Sequence, residues 1–291
     1  MNKGKVIVQL FGGLGNQMFI YATGKALALR NGSEFIIDHK SGFIGDVYKR
    51  TFELNNFKIS AKLAPNIYSF NYKFGGYIRL ISNKIKRHFP FLNIKIIEEN
   101  NSKFNEDFII GNNINCLLKG YWQTEDYFKD YSDIIRREFL FSKKMSNSVL
   151  KEASIIDSYD DRSVALGVRR YQEVKTFVNV KLTDKEYYLS SMKKISKKIK
   201  NPIFFCFTQD QEWVKINLCN HGFEILFIDE KNTENGAIED LFLFKRCKNF
   251  IISNSTFYWW GAWLSENKNK IVIAPSNWVN KLTACRSWNN I

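Results

Sequence analysis

Short apolar runs alternate with segments of helical periodicity from the start of the chain. The apolar residues 5–11 lead through a glycine-rich loop into residues 18–30, whose apolar positions recur at helical spacing. Residues 35–38 form the next apolar run. The chain is therefore predicted to open as a strand, a helix and a second strand, which is typical of a parallel sheet.

The second half of the chain shows the same alternation more regularly. Its apolar runs predict five strands, at 164–168, 203–207, 224–228, 250–252 and 271–273. Periodic segments predict the helices between them, at 183–200, 211–218, 238–246 and 256–265. This order favours a parallel sheet with helices on both faces.

Two domains are expected from this pattern. The region between the two regular halves, residues 60–160, is less periodic, and the polar run 157–162 is the predicted linker. A chain of 291 residues has room for two ordinary domains. We expect a Rossmann-like domain at 1–156 and a second one at 157–291.

The net charge changes what partners are expected. The sequence has 43 Lys and Arg against 29 Asp and Glu, a formal charge of +14, while 45% of its residues are hydrophobic. That apolar content excludes a disordered basic tail. The positive field predicts an anionic partner, which is a nucleic acid, a nucleotide phosphate or an acidic membrane surface.

Cysteine usage and the absence of long apolar windows indicate a cytoplasmic protein. The five cysteines are widely spaced without a C-x-x-C motif, and only three histidines occur. This pattern favours free thiols over a zinc site or a disulfide framework. The first apolar run is too short for a signal peptide.

The glycine-rich loop at residues 12–17 is the first candidate for chemistry. Backbone amides and the helix dipole favour anions where a strand turns into a helix. Gly13 and Gly15 fit the start of a dinucleotide fingerprint, but Met18 stands where its third glycine belongs. The loop is either an anion site or a tight turn in which Asn16 caps the helix.

Arg169 and Arg170 follow directly after the apolar strand predicted at 164–168. Ligands of open α/β sheets bind beyond the carboxyl ends of the strands. Guanidinium groups suit a diphosphate because they are planar, always charged and bidentate. The pair is either a diphosphate site or part of a structural ion pair.

Polar residues also follow two further predicted strands. Asn254, Ser255 and Thr256 open an aromatic-rich helix, where amides and hydroxyls favour a phosphate. Asp210 either accepts hydrogen bonds from a guanine or caps the helix that follows it. Because the sequence has no Asp-x-Asp motif, no metal is expected to hold a nucleotide diphosphate.

These motifs, taken in order, resemble glycosyltransferase family 11, the bacterial α-1,2-fucosyltransferases and their O-antigen relatives that use GDP-colitose. The resemblance covers about 6–278 and rests on residues 12–19, 50–54, 120–125, 168–170, 210 with 213, 239–240 and 254–263. It implies a GT-B-like α/β fold, with two Rossmann-like domains facing across a cleft. Domain 1–156 would then be the acceptor side, and domain 157–291 would bind the GDP-sugar.

The resemblance also implies a reaction and its residues. An inverting, metal-independent transfer moves a 6-deoxy-L-hexose from its GDP-β-L-sugar to a sugar hydroxyl, giving an α linkage. The family's nucleotide and donor positions match Gly13, Gly15, Asn16, Gln17, Asp210, Asn254, Ser255 and Thr256. Arg169 and Arg170 would hold the diphosphate and stabilise the leaving GDP.

More detailed roles follow from the same resemblance. Ser255 and Thr256 would donate to the β-phosphate, and Asp210 would read guanine. Asn16 and Gln17 would face the transferred sugar or the acceptor.

The chain departs from the family at the arginine pair, where His-x-Arg-Arg-x-Asp is usual. Gly167 replaces the histidine and Gln172 replaces the aspartate. One reading is a changed donor, GDP-L-colitose, the 3-deoxy analogue of GDP-L-fucose. The other reading is impaired activity. The general base stays open: Glu173 is the first candidate, Asp38 and His39 are others, and an oxocarbenium-like path without a strong base is a further alternative.

The expected partners are a GDP-L-sugar and an oligosaccharide acceptor linked to polyprenyl diphosphate, with no further cofactor. The basic aromatic segment 73–87 is either a contact with anionic lipid at the inner membrane face or an ordinary solvated surface. Two other functions stay open. One is a catalytically silent relative that only binds GDP-sugar, and the other is a nucleic-acid-binding protein, for which no recognised motif is present.

Overall fold

The computed structural model describes residues 3–65, 94–99, 115–170, 183–229, 236–276 and 284–290. The chain forms two compact units, Met1–Lys143 and Lys144–Ile291. Each unit contains one sheet whose described strands all pair in parallel. The prediction of two Rossmann-like α/β domains is confirmed.

Unit 1 is built around strand β1. Its five described strands are β1 (Lys5–Gln9), β2 (Glu34–Asp38), β3 (Lys62–Leu63), β4 (Lys95–Glu98) and β5 (Cys116–Lys119), in the order β3-β2-β1-β5-β4. Its described helices are α1 (Leu14–Arg30) and α2 (Ser132–Glu138), with short 3-10 turns between the strands and helices. Most of α1 is buried, because it packs along β1 and β2.

The described part of unit 2 has six strands: β6 (Ser163–Val168), β7 (Ile203–Thr208), β8 (Glu224–Phe227), β9 (Asn249–Ile251), β10 (Val272–Ala274) and β11 (Asn289–Asn290). Their order is β11-β10-β9-β6-β7-β8. The described helices are α3 (Asn147–Ser158), α4 (Lys185–Ser196), α5 (Gln211–Asn217), α6 (Gly236–Phe244) and α7 (Thr256–Leu264). Every residue of β6 and β7 is buried, which explains why both strands read as continuous apolar runs.

The two units divide at Lys143 and Lys144, before α3, whereas the sequence placed the division after residue 156. Helix α3 packs against α6 of unit 2, through a buried face that includes Val149 and Ile156. The polar run 157–162 is therefore the end of α3 and a 3-10 turn leading into β6. Its polarity reflects solvent exposure at a helix end.

Both sheets reverse their strand order beside a central strand. In unit 1 the chain adds β2 and β3 on one side of β1 and then places β5 on the other side. In unit 2 it adds β7 and β8 on one side of β6 and then places β9 on the other. Ligands of open α/β sheets bind at such reversals, beyond the carboxyl ends of the strands. Each unit therefore has one defined position for a site.

Two further expectations can be compared with the structure. All five cysteines are free thiols, as the sequence predicted. No helix in the described part of the chain is long and apolar enough to span a bilayer.

Candidate active site

The strand reversal of unit 2 lies between β6 and β9. Leu166 pairs with Ile251, so the two strands end at nearly the same level of the sheet. Arg169 directly follows Val168, the last residue of β6, and Asn254 lies in the loop after β9. The topology thus brings the predicted arginine pair and the predicted phosphate loop to one edge of the sheet.

Arg169 is held by the loop that follows β7. Its Nη1 donates a hydrogen bond to Oε1 of Gln209, two residues after Phe207. Gln209 is not among the predicted site residues, although its position just beyond the end of β7 is a signal that could have identified it. The partner in this hydrogen bond is a neutral amide, and a guanidinium group suits an anionic ligand because it is planar and always charged.

Arg170 points to a different part of unit 2. Its Nη1 donates to the backbone oxygen of Thr183 over 3.2 Å, and its guanidinium carbon lies 4.4 Å from the ring centre of Trp213. The stacking is a cation–π contact with the helix α5. The side chains of the two adjacent arginines therefore contact different elements of unit 2, Arg169 the loop after β7 and Arg170 the helix α5.

The loop after β9 delivers Ser255 to the N-cap position of α7. The backbone N–H of Ser255 donates to the oxygen of Ser253 over 2.7 Å, and its hydroxyl makes no capping hydrogen bond. Asn254 and Ser255 are only 6% and 8% exposed. A helix start with an uncapped hydroxyl is able to receive a phosphate group.

Asp210 caps helix α5, one of the two roles that the sequence left open. Its Oδ1 accepts a hydrogen bond of 3.0 Å from the backbone N–H of Trp213. Its own N–H donates to the hydroxyl of Thr208 over 3.0 Å. Capping fixes the carboxylate beyond the end of β7.

The glycine loop of unit 1 is tighter than the sequence suggested. Helix α1 begins at Leu14, so Gly15, Asn16 and Gln17 lie in its first turn rather than in a loop. Gly12 makes this possible, because its φ of +74° favours a residue without a side chain. A Cβ there would also stand 2.7 Å from Nδ2 of Asn16.

Asn16 does not cap α1, contrary to one of the two expectations. The N-cap residue is Gly13, which makes no side-chain cap. Oδ1 of Asn16 instead accepts a hydrogen bond of 3.0 Å from Nε2 of Gln123, which follows β5. This bond spans the strand reversal of unit 1.

Gln17 is fully buried, and its side-chain amide binds backbone groups of unit 1. Its Nε2 donates to the backbone oxygens of Gly12 and Thr51, over 3.0 and 2.9 Å. Its Oε1 accepts from the backbone N–H of Glu53 over 3.0 Å. Both amide N–H groups bind the backbone of unit 1, so the side chain positions the segment 50–53. That Gln17 also faces the transferred sugar or the acceptor stays a prediction.

Arg50 and Glu53 are brought to the glycine loop by this segment. Nε of Arg50 lies 3.9 Å from the place that a Cβ on Gly13 would occupy. Burial raises the pKa of the Glu53 carboxyl, while the charge of Arg50 and a hydrogen bond from the Leu14 backbone oppose that rise. Residues 50–54 support the family resemblance, but no local pattern in them predicts a role.

Asp38, a candidate base, is committed to a turn. It is 1% exposed, and its Oδ1 accepts from the backbone N–H groups of Lys40 and Ser41 over 3.1 and 3.0 Å. Its Oδ2 accepts from the Ser41 hydroxyl. These bonds hold the carboxylate of Asp38, the last residue of β2, in the turn that follows the strand, and its role as a base stays a prediction. The ring of His39, the other candidate, lies 5.4 Å from that of Phe52.

Three positions from the sequence analysis lie outside the described residues: Gln172, Glu173 and the basic segment 73–87. Glu173 therefore stays a prediction. Among the residues that are described, no cluster of three or more His, Cys, Asp or Glu side chains is arranged to hold a metal ion.

Comparison with known proteins was made at the levels of family, sequence and fold. The family model described as glycosyl transferase family 11 matches residues 1–287. An alpha-1,2-colitosyltransferase of Escherichia coli is 30% identical over 95% of this chain and 93% of its own length. The O-antigen biosynthesis glycosyltransferase WbnK of Escherichia coli is 26% identical, over 97% of this chain and 99% of its own.

The fold is also shared with solved structures. The fucosyltransferase NodZ from Bradyrhizobium superposes with a TM-score of 0.54 at 14% identity, over 90% of this chain and 93% of its own. The same enzyme co-crystallized with GDP gives a TM-score of 0.51. The GT-B-like fold class expected from the sequence is confirmed by this similarity and by the two parallel-sheet units.

Proposed function

Because the chain belongs to glycosyl transferase family 11, and so is a glycosyltransferase, we propose that it is an inverting, metal-independent α-1,2-transferase. It moves a 6-deoxy-L-hexose from a GDP-β-L-sugar onto a hydroxyl of a galactose-type acceptor in O-antigen synthesis. One observation carries the proposal: the strand reversal of unit 2 gathers Arg169, Arg170 and the start of α7.

The proposed mechanism uses charge placed by the protein. The acceptor oxygen forms a bond to C1 of the sugar while the bond from C1 to the GDP oxygen breaks, and the proton of the acceptor hydroxyl passes to a general base, for which Glu173 is the first candidate. The leaving GDP takes that electron pair, and negative charge grows on its diphosphate. Arg169 and Arg170 stabilise this charge, and the amides and hydroxyls of Ser255 and Thr256 donate to the β-phosphate. Attack from the opposite face converts a β donor into an α product.

Guanine recognition falls to Asp210 in this proposal. A carboxylate has two oxygens, so capping through Oδ1 is compatible with a second contact. The carboxylate accepts from the N–H and amino donors of guanine, which uracil and adenine do not present in that arrangement. NodZ, which shares the fold, has been co-crystallized with GDP, and this supports a guanine nucleotide.

The acceptor is assigned to unit 1, with Asn16 and Gln123 as polar contacts and Gln17 behind them. The acceptor is taken to be an oligosaccharide on polyprenyl diphosphate, used at the inner face of the cytoplasmic membrane. The formal charge of +14 supports attraction to such an anionic lipid carrier.

The donor sugar is L-fucose or its 3-deoxy analogue L-colitose. A relative named alpha-1,2-colitosyltransferase, 30% identical over most of both chains, favours colitose. The replacement of the family's aspartate by Gln172 supports the same choice, because a lost hydroxyl no longer needs that carboxylate.

Ligand-dependent thermal unfolding tests the donor class. A ligand that binds only the folded protein raises the melting temperature, so GDP should raise it and UDP or ADP should not. Equal shifts in melting temperature with all three nucleotides would contradict the proposal. GDP binding that disappears at moderate salt would favour a nucleic-acid-binding protein instead.

Transfer assays with GDP-fucose and GDP-colitose then identify the sugar. We expect turnover of at least one donor onto a galactose-containing acceptor, with an anomeric NMR signal of an α linkage in the product. Nucleotide binding without release of GDP from either donor would identify a silent relative.

A further inference from the structure

Gly167 lacks a side chain at a place where another residue already fills the space. It is the residue before the end of β6, and the ring of Tyr258 from α7 covers it. A Cβ on Gly167 would stand 2.7 Å from Cγ of that ring, and 2.8 and 3.0 Å from its two Cδ atoms. Real Cβ contacts are not that short, so Gly167 and Tyr258 are complementary.

Tyr258 also joins several elements of unit 2. Its hydroxyl donates a hydrogen bond of 2.8 Å to the backbone oxygen of Phe207 in β7. Its ring stacks on Phe244 of α6, with ring centres 5.0 Å apart. One side chain near the start of α7 thus touches β6, β7 and α6.

These contacts adjoin the segment that carries Arg169. Arg169 directly follows β6, two positions after the Gly167 that Tyr258 covers. The acceptor of the Tyr258 hydroxyl, Phe207, is two residues before Gln209, which holds Arg169. Burial raises the pKa of the Tyr258 hydroxyl, and the charge of Arg169 is the largest influence that opposes the rise.

We propose that Tyr258 is a positioning residue for the diphosphate site, which fixes the ends of β6 and β7 against the first turn of α7. Arg169, Gln209 and the hydroxyl of Ser255 then keep one spacing when the nucleotide binds. This inference rests on the proposed function, in which Arg169 contacts the diphosphate.

Tyr258→Phe is the most direct test, because it keeps the ring over Gly167 and removes only the bond to Phe207. We expect the Kd for GDP to rise and kcat/KM for the donor to fall, each about tenfold. Tyr21→Phe is the matched control, since Tyr21 is a buried tyrosine of unit 1 whose hydroxyl donates to Glu138 over 2.6 Å. It should lose stability without a change in the Kd for GDP.

Gly167→Ala tests the complementarity from the other side. The new methyl group pushes the Tyr258 ring, so GDP binding should weaken in the wild-type background. In a Tyr258→Ala background the same substitution has room and should change the Kd for GDP little. Equal effects in the two backgrounds would mean that the residues are not coupled.

A nucleotide-free measurement separates this inference from the proposed function. The Nε–H signal of Arg169, assigned through Arg169→Lys in arginine-labelled protein, should shift in Tyr258→Phe and stay in place in Tyr21→Phe. If wild-type protein fails to bind GDP, the proposed function fails and this signal alone decides the positioning role. If GDP binds and Tyr258→Phe leaves its Kd, kcat/KM and the Arg169 signal unchanged, the positioning role is refuted while the function stands.

Discussion

The two units share a topology and differ in the chemistry placed on it. Each has a parallel sheet that reverses beside a central strand, β1 in unit 1 and β6 in unit 2. At the reversal, unit 2 presents two arginines and the start of α7. Unit 1 presents the side-chain amides of Asn16, Gln17 and Gln123, of which Gln17 and Gln123 are buried, together with the carboxyl of Glu53.

In the proposed function, this difference gives the two reversals separate tasks. Cations and helix amides favour binding and departure of a diphosphate, whereas amides and a carboxyl favour hydrogen bonding to sugar hydroxyls. Fold alone does not fix either task, because the same sheet order carries both sets of residues. The functional distinction lies in the few side chains that follow each strand.

The largest expected effect comes from removing the charge at the reversal of unit 2. Arg169→Ala should lower the rate of transfer roughly 10²–10³-fold, because developing negative charge on the diphosphate loses a placed cation. The measurement is kcat/KM for the donor, with circular dichroism to verify folding.

Arg246→Ala is the control for that experiment. Arg246 also belongs to unit 2, but its Nε donates to Asp157 over 3.0 Å, away from the strand reversal. The transfer activity of Arg246→Ala should match that of the wild type. Transfer by Arg169→Ala within about threefold of the wild type would contradict the diphosphate assignment.

The next largest effect concerns the buried amide of unit 1. Gln17→Met keeps the length of the side chain but leaves the backbone groups of Gly12, Thr51 and Glu53 without a partner. We expect a loss of about 2–4 kcal/mol in the free energy of unfolding, measured in urea, because unpaired buried groups keep their desolvation penalty.

Thr23→Val is the matched control on the same helix. Thr23 is fully buried, and its hydroxyl has no hydrogen-bond partner among the described residues. Replacing it with an isosteric apolar side chain should leave the stability unchanged or slightly higher. A similar loss of unfolding free energy in both variants would show that α1 tolerates no change, and that the hydrogen bonds of Gln17 have no special importance.

The hydrogen bonds of Gln17 show which features the sequence does not predict. Apolar runs predicted β6 and β7 well because both strands are buried on both faces. The start of α1 was placed too late, because the polar residues Asn16 and Gln17 concealed the first helical turn. The burial of Gln17 depends on partners near residue 51, which periodicity along α1 does not reveal.

Contacts between distant residues account for the other differences. The run of aromatic residues in α7 predicts a core helix, and the helix is indeed buried. Nothing local distinguishes Tyr258 from its neighbours, because its role depends on Gly167 and Phe207. The arginines and the loop 254–256 were predictable, since both follow strong apolar strands.

A smaller effect separates the carboxyl at the reversal of unit 1 from a structural one in the same unit. Burial raises the pKa of Glu53, so its contribution to stability is present at acidic pH and is lost as the pH rises through the folded-state pKa. Glu138 is the opposite case: burial raises its pKa, but hydrogen bonds from Lys25, Ser60 and Tyr21 outweigh this and lower it. Its contribution is present near neutral pH and is lost as the pH falls.

Unfolding free energies of Glu53→Gln and Glu138→Gln between about pH 4 and pH 7 test these signs. Relative to the wild type, Glu53→Gln should become more stable as the pH rises, and Glu138→Gln should become less stable. Slopes of the same sign in both variants would contradict the environment assigned to Glu53.

The smallest expected effect, none at all, concerns metal ions. If the arginines of unit 2 stabilise the leaving diphosphate, a divalent cation has no task there, and EDTA should leave kcat/KM unchanged. Two carboxyls of unit 1 are poorly suited to bind one: Asp38 is occupied by the turn after β2, and Glu53 lies beside Arg50. Loss of transfer with EDTA, restored by Mg²⁺ or Mn²⁺, would assign charge stabilisation to a metal and reduce Arg169 to a supporting contact. Full activity in EDTA, together with a large loss of transfer in Arg169→Ala, would assign charge stabilisation to the guanidinium group.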